Sequence, residues 1–87
     1  MTKINIYKAT RRRMAQYMDY IHETYYDNNA SWETKFDVVN DYRHEAIAVL
    51  NFAYVLGSMS DSTFENMYDK FTKFVNHYRI KIMKQEW

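Results

Sequence analysis

The sequence predicts an all-α protein, a three-helix up-down-up bundle with a long central helix 2. Three long segments carry apolar residues at helical spacing, and each segment keeps a polar side for at least part of its length. The chain has one Gly and no Pro, so few residues favour tight turns or helix breaks. Its 87 residues suit a single domain, and short connections between three helices favour a bundle.

Helix 1 is predicted from about residue 8 to residue 27. Asp27-Asn28-Asn29 ends it, because asparagine tolerates the left-handed conformation that follows many helices. Residues 1–7 are predicted to form an extended arm or an early helical turn, because KINIY alternates but has no second strand-like segment to pair with. The apolar stripe of helix 1 comprises Met14, Tyr17, Met18, Ile21 and Tyr25.

Helix 2 is predicted over about residues 32–56, with Ser31 as the N-cap and Gly57 just after the C-terminus. Its first half has one polar face, whereas the stretch 46–57 is apolar on nearly all sides. That late part therefore needs cover from the N-terminal arm or from another chain. The broad apolar face comprises Phe36, Val39, Tyr42, Ala46, Val49, Leu50 and Ala53.

Helix 3 is predicted over about residues 62–85. Ser62 to Glu65 fits a capping box, and Ser60 is the alternative N-cap, with Met59 and Phe64 as a hydrophobic staple. One apolar stripe continues over five turns of this helix. It comprises Phe64, Met67, Tyr68, Phe71, Phe74, Val75, Tyr78 and Ile82.

The net charge of +1 hides a segregation along the chain. Residues 1–13 sum to +5, residues 14–69 to −8 and residues 70–87 to +4. The absence of Cys excludes disulfides and thiol catalysis, and no signal-peptide pattern is present. The apolar run is too short to span a bilayer. These features predict a cytoplasmic protein that does not act in a membrane.

Two copies of a related motif, DYIHE at 19–23 and DYRHE at 41–45, place acids and a histidine on one helix face. Similar spacing binds metals in di-metal bundles, but those use four helices. Both motifs lie off the main apolar faces, so we interpret them as solvated surface and predict neither a metal nor a cofactor. With no Ser/His/Asp set and no glycine-rich phosphate loop, an enzyme is not predicted.

Arg43 lies on the apolar face of helix 2, among Phe36, Val39 and Leu50. A buried guanidinium needs a partner. The sequence therefore predicts a structural ion pair with Asp69 or Asp19, or a side chain that extends its charged end into solvent, rather than a binding site.

Two surfaces are candidates for binding a protein partner. A regular acidic row on helix 2 resembles a phosphate backbone and suits a basic groove on another protein. Near the end of helix 3, an apolar patch away from the main stripe is typical of an interface, either with another protein or with a second copy. The acidic row is Glu33, Asp37, Asp41 and Glu45, and the apolar patch is Ile80, Met83 and Trp87.

Nucleic acid is the alternative partner. Basic residues cluster near the N-terminus, and others form one face of helix 3 opposite its apolar stripe, as expected for phosphate contacts. The near-neutral net charge and the acidic helix 2 argue against strong binding of this kind. The candidate residues are Arg11, Arg12, Arg13, Lys70, Lys73, Lys81 and Lys84.

The function that these features favour is a small non-enzymatic interaction protein that binds and modulates or inhibits a macromolecular partner. The alternative is a small nucleic-acid-binding regulator. In size, charge segregation and lack of catalytic residues, the chain resembles compact inhibitors encoded by phages and mobile elements, such as anti-CRISPR proteins. That resemblance rests on no motif and assigns a role to no residue.

Overall fold

The computed structural model describes residues 2–86, and within that range the protein is all-helical, with three α-helices and no strand. Helix α1 spans Lys3–Tyr25, α2 spans Trp32–Val55 and α3 spans Asp61–Glu86. Each helix contacts the other two, as expected in a bundle. Over the same range, none of the helices combines the length and apolar character needed to cross a membrane.

Helix α1 begins at Lys3, five residues before the predicted start, so residues 3–7 are an early part of the helix rather than an extended arm. Thr2 is the N-cap, and its hydroxyl accepts a hydrogen bond of 3.2 Å from the backbone N–H of Asn5. This cap satisfies a backbone donor that has no partner within the helix. The alternating pattern of KINIY did not produce a strand, since no strand is present to pair with it.

Both ends of α2 match the predicted caps. The Ser31 hydroxyl accepts a hydrogen bond of 3.1 Å from the N–H of Thr34. At the other end, Gly57 has a φ of 75°, in the left-handed region that favours glycine. The N–H of Ser58 donates to the carbonyl of Ala53 at 3.2 Å, and that of Gly57 to Tyr54 at 2.9 Å, which is the Schellman pattern.

For α3, the alternative N-cap is the one observed. The Ser60 hydroxyl accepts a hydrogen bond of 3.2 Å from the N–H of Thr63, and the helix begins at Asp61. The Ser62 capping box is therefore not used as the start of the helix. The two candidates differ by half a turn, and local sequence alone did not distinguish them.

The core consists of the predicted apolar stripes. Small side chains at Ala46 and Ala53 alternate with larger ones on the buried side of α2, which lets neighbouring helices approach. Every fully or nearly buried apolar residue belongs to one of the three stripes. These residues are Met14, Tyr17, Ile21, Val39, Ala46, Leu50, Ala53, Phe71, Val75, Tyr78 and Ile82.

The end of α2 is less covered than its sequence requires. Phe52 is 66% exposed and Val55 is 79% exposed, although both lie in the most apolar stretch of the chain. The neighbouring helices α1 and α3 cover the sides of α2 that carry Leu50 and Ala53, and within the part of the chain that the structure describes no other element covers the remaining side. The result is an apolar surface on the outside of the bundle.

We predict that two isoleucines on the same turn of α3 differ sharply in their contribution to stability. Ile82 is 1% exposed and Ile80 is 53% exposed. Ile82→Ala removes buried methyl groups and is expected to lower the free energy of unfolding by about 2–5 kcal/mol, whereas Ile80→Ala changes it by less than about 0.5 kcal/mol. Urea denaturation of both variants measures the difference, and equal losses would contradict the packing described above.

Candidate functional site

An acidic groove lies between α1 and α2. It has a volume of about 330 Å³ and is lined by Tyr20, Glu23, Thr24, Asp27 and Tyr42. The ring centroids of Tyr20 and Tyr42 are 5.4 Å apart, so the two aromatic side chains form one wall. The groove therefore combines carboxylates with tyrosine faces, and both groups attract cations.

The predicted acidic row on α2 is fully exposed but does not form one straight face. Each step of four residues turns the side chain by about 40° around a helix. Asp41 and Glu45 are therefore rotated toward the side of Tyr42, whereas Glu33 and Asp37 turn away from it, and none of the four lines the acidic groove. The groove takes its carboxylates from Glu23 of α1 and from Asp27, which follows that helix, and not from the predicted row.

An apolar groove lies farther along the same helix pair. It has a volume of about 700 Å³, and the exposed side chains of Phe52 and Leu56 stand at its edge. Arg13 is the only charged residue among those that line it. The lining residues are Ile6, Ala9, Thr10, Arg13, Ala48, Val49, Phe52, Ala53 and Leu56.

The predicted basic residues are divided among several surfaces. Arg11 of α1 and Lys70 of α3 line one groove of about 200 Å³, together with Met14 and Met67. Arg13 is turned the other way, and its guanidinium donates a hydrogen bond of 2.9 Å to the hydroxyl of Tyr17. Of the predicted nucleic-acid-binding residues, Arg11 and Lys70 therefore share a groove, whereas Arg13 lies on a different surface.

The remaining lysines of α3 differ in exposure. Lys73 and Lys84 are exposed. Lys81 is half-buried, and its Nζ lies 5.5 Å from the ring centroid of Tyr25 and 6.0 Å from that of Tyr78. This lysine helps to join α3 to α1 and is not part of a purely outer stripe.

The apolar patch predicted near the end of α3 is present in part. Ile80 and Met83 are both exposed on this helix. Trp87, the third member of the patch, lies outside the described residues. Neither Ile80 nor Met83 lines the acidic groove or the apolar groove.

The predicted ion pair does not provide a hydrogen bond to the buried Nε of Arg43. This atom has no hydrogen-bond partner, and the same is true of the buried Nε of Arg79 and the hydroxyl of Thr72. The guanidinium of Arg79 instead lies 5.4 Å from the ring centroid of Phe36. Both arginines are partly exposed to solvent, so the charged end of each side chain can be hydrated although its Nε has no hydrogen-bond partner.

The two Asp-Tyr-x-His-Glu motifs do not converge. Among residues 2–86, no group of three or more acidic or histidine side chains is placed to hold a metal ion. The Nδ1 atom of His22 instead forms a hydrogen bond with the hydroxyl of Tyr78. Burial raises the pKa of that hydroxyl above its ordinary value of 10.0, which favours the neutral form of Tyr78.

Lys35 is a structural residue that the sequence pattern did not identify. It is 4% exposed, its Nζ donates a hydrogen bond of 2.7 Å to the carbonyl of Tyr25, and it lies 4.1 Å from the ring centroid of Trp32. A cation at the C-terminus of α1 is favoured by the helix dipole. In the sequence, the burial of Lys35 was indicated only by its place directly before Phe36, a residue of the apolar face.

No protein-family model matches the chain, and comparisons with curated proteins and with solved structures find no match to it. The acidic groove, the apolar groove and the groove lined by Arg11 and Lys70 are therefore the features of this protein that bear on its function.

Replacing Lys35 tests whether it joins α1 to α2. Lys35→Met keeps the apolar stem but removes the charged hydrogen bond, and it is expected to lower the free energy of unfolding by about 1.5–3 kcal/mol. The matched variant Lys84→Met removes an exposed lysine and is expected to change it by less than about 0.5 kcal/mol. Chemical denaturation measures both, and a small effect at Lys35 would contradict the assignment.

Proposed function

We propose that the protein is a small non-enzymatic interaction protein that binds a macromolecular partner and modulates or inhibits it. Its acidic, tyrosine-lined face, formed by Tyr20, Glu23, Asp27, Asp41 and Tyr42, receives a basic surface of that partner. The observation that carries the proposal is the acidic groove, in which the carboxylates of Glu23 and Asp27 meet the tyrosines of α1 and α2.

The chemistry of this face matches lysine and arginine side chains. A carboxylate accepts hydrogen bonds from a guanidinium in a two-pronged geometry, and a tyrosine ring attracts a cation to its face. Tyrosine also contributes much contact area at little cost in conformational entropy, which is why it is common at the centres of interfaces. Tyr20 is an exposed member of the tyrosine pair and is available for such contact.

The spacing of the acids supports a protein partner that normally binds phosphates. Acids four residues apart on a helix are separated by about 6 Å along its axis. Glu33, Asp37 and Asp41 are exposed on α2 and repeat negative charge at this interval. A rigid row of this kind can occupy a basic groove and compete with a nucleic acid for it.

We also propose an up-down-up arrangement of the three helices and a cytoplasmic location. The contacts of Tyr42 with Tyr17, at 6.1 Å, and of Tyr54 with Phe64, at 4.4 Å between ring centroids, support an up-down-up path with α2 in the centre. We place the protein in the cytoplasm, in a role similar to that of phage and mobile-element inhibitors such as anti-CRISPR proteins. The apolar patch of Ile80 and Met83 is a second contact area for the partner.

Binding of an oligoarginine peptide tests the acidic face with a defined probe. We predict that the triple variant Glu23→Gln, Asp27→Asn, Asp41→Asn binds the peptide about tenfold more weakly than the unmodified chain, because each exposed charge pair contributes about 0.2–1 kcal/mol. Isothermal titration measures the affinity. The matched variant Lys70→Gln, Lys73→Gln, Lys84→Gln removes three exposed charges from α3 and should bind at least as tightly as the unmodified chain.

The same variants extend the test to the natural partner. The three chains are used to capture proteins from nuclease-treated lysate of the host. A partner of the proposed kind is retained by the unmodified chain and by the lysine variant but not by the acidic variant. Added duplex DNA releases this partner. A partner that all three chains retain equally would remove the acidic face from the proposal.

A second candidate function, a small nucleic-acid-binding regulator, is favoured by one observation. Arg11 and Lys70 come from distant parts of the sequence yet line a single groove between α1 and α3. Arg12 and Lys73 are exposed and add positive charge on the same two helices. Two helices that present cations to one groove can contact neighbouring phosphates of a nucleic acid.

The salt dependence of binding distinguishes this second candidate. If the protein uses this groove, its affinity for duplex DNA falls steeply with salt, and Arg11→Gln with Lys70→Gln reduces the slope of log K against log salt by about 1.8, since each phosphate contact contributes about 0.9. Fluorescence anisotropy over a salt series measures the slope. A response that is flat, or unchanged in the double variant, would eliminate the groove as a nucleic-acid site.

A further inference from the structure

We propose that two copies of this chain pack against each other through the apolar groove between α1 and α2, with a two-fold axis near Phe52. The helices of one copy then run opposite to the matching helices of the other. This inference goes beyond the proposed function, because it uses a different part of the α1–α2 surface and leaves the acidic groove open.

The apolar surface is large and continuous for so small a protein. Phe52 and Val55 are among the most exposed large apolar side chains that the structure describes, and the exposed Leu56 follows them directly. Phe52 and Leu56 line a groove of about 700 Å³ together with Ile6, Ala48 and Val49, and Val55 lies next to them in the sequence. Exposed apolar surface of this kind, rimmed by polar residues, marks interaction sites on soluble proteins.

The start of this chain does not close the groove. Residues 3–10 belong to α1 and form one of the groove walls, through Ile6, Ala9 and Thr10. The side of Phe52 and Val55 that faces solvent lies beyond this wall. In the proposed dimer the second copy supplies that cover.

Charges of opposite sign lie at the two ends of the groove, and Arg13, the charged residue in its lining, donates a hydrogen bond to Tyr17 of its own chain. At one end lies Lys3, whose Nζ is 3.5 Å from the position that a Cβ would take on Gly57. At the other end lies Glu45, which precedes Phe52 by two helical turns, or about 10 Å, on the same side of α2. A two-fold axis near Phe52 exchanges the two ends, so that Lys3 of each copy faces Glu45 of the other. Such matching of a patch with itself is what a two-fold interface requires.

Electrostatic repulsion selects the orientation of the two copies. The carboxylates of Glu23 and Asp27 line the acidic groove, which lies beyond the Glu45 end of the apolar groove. If matching helices ran in the same direction, the two acidic regions would face each other. The opposite orientation moves them to the two ends of the dimer, where each remains accessible to a basic partner.

The mass of the protein in solution over a concentration series, measured by sedimentation equilibrium, tests the proposal. The unmodified chain is expected to approach twice the monomer mass as concentration rises. Phe52→Glu places a charge in the apolar contact and is expected to raise the dissociation constant by more than about tenfold. The matched control Ile80→Glu places the same charge at an exposed position on α3 and is expected to dimerise like the unmodified chain.

A charge exchange tests the orientation. Lys3→Glu and Glu45→Lys each place like charges together and weaken the dimer, whereas the double variant restores the pair and recovers most of the affinity. Circular dichroism establishes that every variant remains helical. A monomer at all soluble concentrations would overturn the proposal, as would a dimer that Phe52→Glu leaves intact. Failure of the charge exchange to restore affinity would overturn the two-fold arrangement described here.

Discussion

The structure depends on one geometric constraint, the limited cover that two helices can give to a third. α2 carries apolar side chains around most of its circumference in its last turns, and α1 and α3 bury only the sides that bear Ala46, Leu50 and Ala53. The apolar side chains of Phe52 and Val55 remain outside. Burial of apolar area is the main favourable term in folding, and within residues 2–86 the structure has three helices to supply it.

Tyrosine side chains provide part of the buried apolar area and also line the surface of the bundle. Tyr17 and Tyr78 are buried, and their hydroxyls reach Arg13 and His22. Tyr20 and Tyr42 pack against Tyr17 and at the same time line the acidic groove. A ring with an apolar body and a polar tip suits both positions. The residues that complete the core therefore also shape the surface to which we assign partner binding.

The charges of the protein remain separated after folding. The acidic residues beside Tyr42 occupy one α1–α2 surface, and Arg11 with Lys70 occupies the α1–α3 groove. Separated charge gives a small protein several distinct surfaces, and it favours association with partners of opposite charge. In the dimer that we propose, each copy keeps its acidic groove, so a single assembly presents two such grooves.

The sequence by itself determined the helical class, the buried stripes and the cap at Ser31, because helical periodicity and capping chemistry are local properties. It also indicated that the late part of α2 needs cover. Tertiary structure decided which surfaces exist: the burial of Lys35 against Tyr25 and Trp32, the joining of Arg11 to Lys70, and the meeting of Glu23 and Asp27 with Tyr42. Each of these contacts brings together residues from separate parts of the chain, and the rotation of one helix against another is set by packing of the whole core.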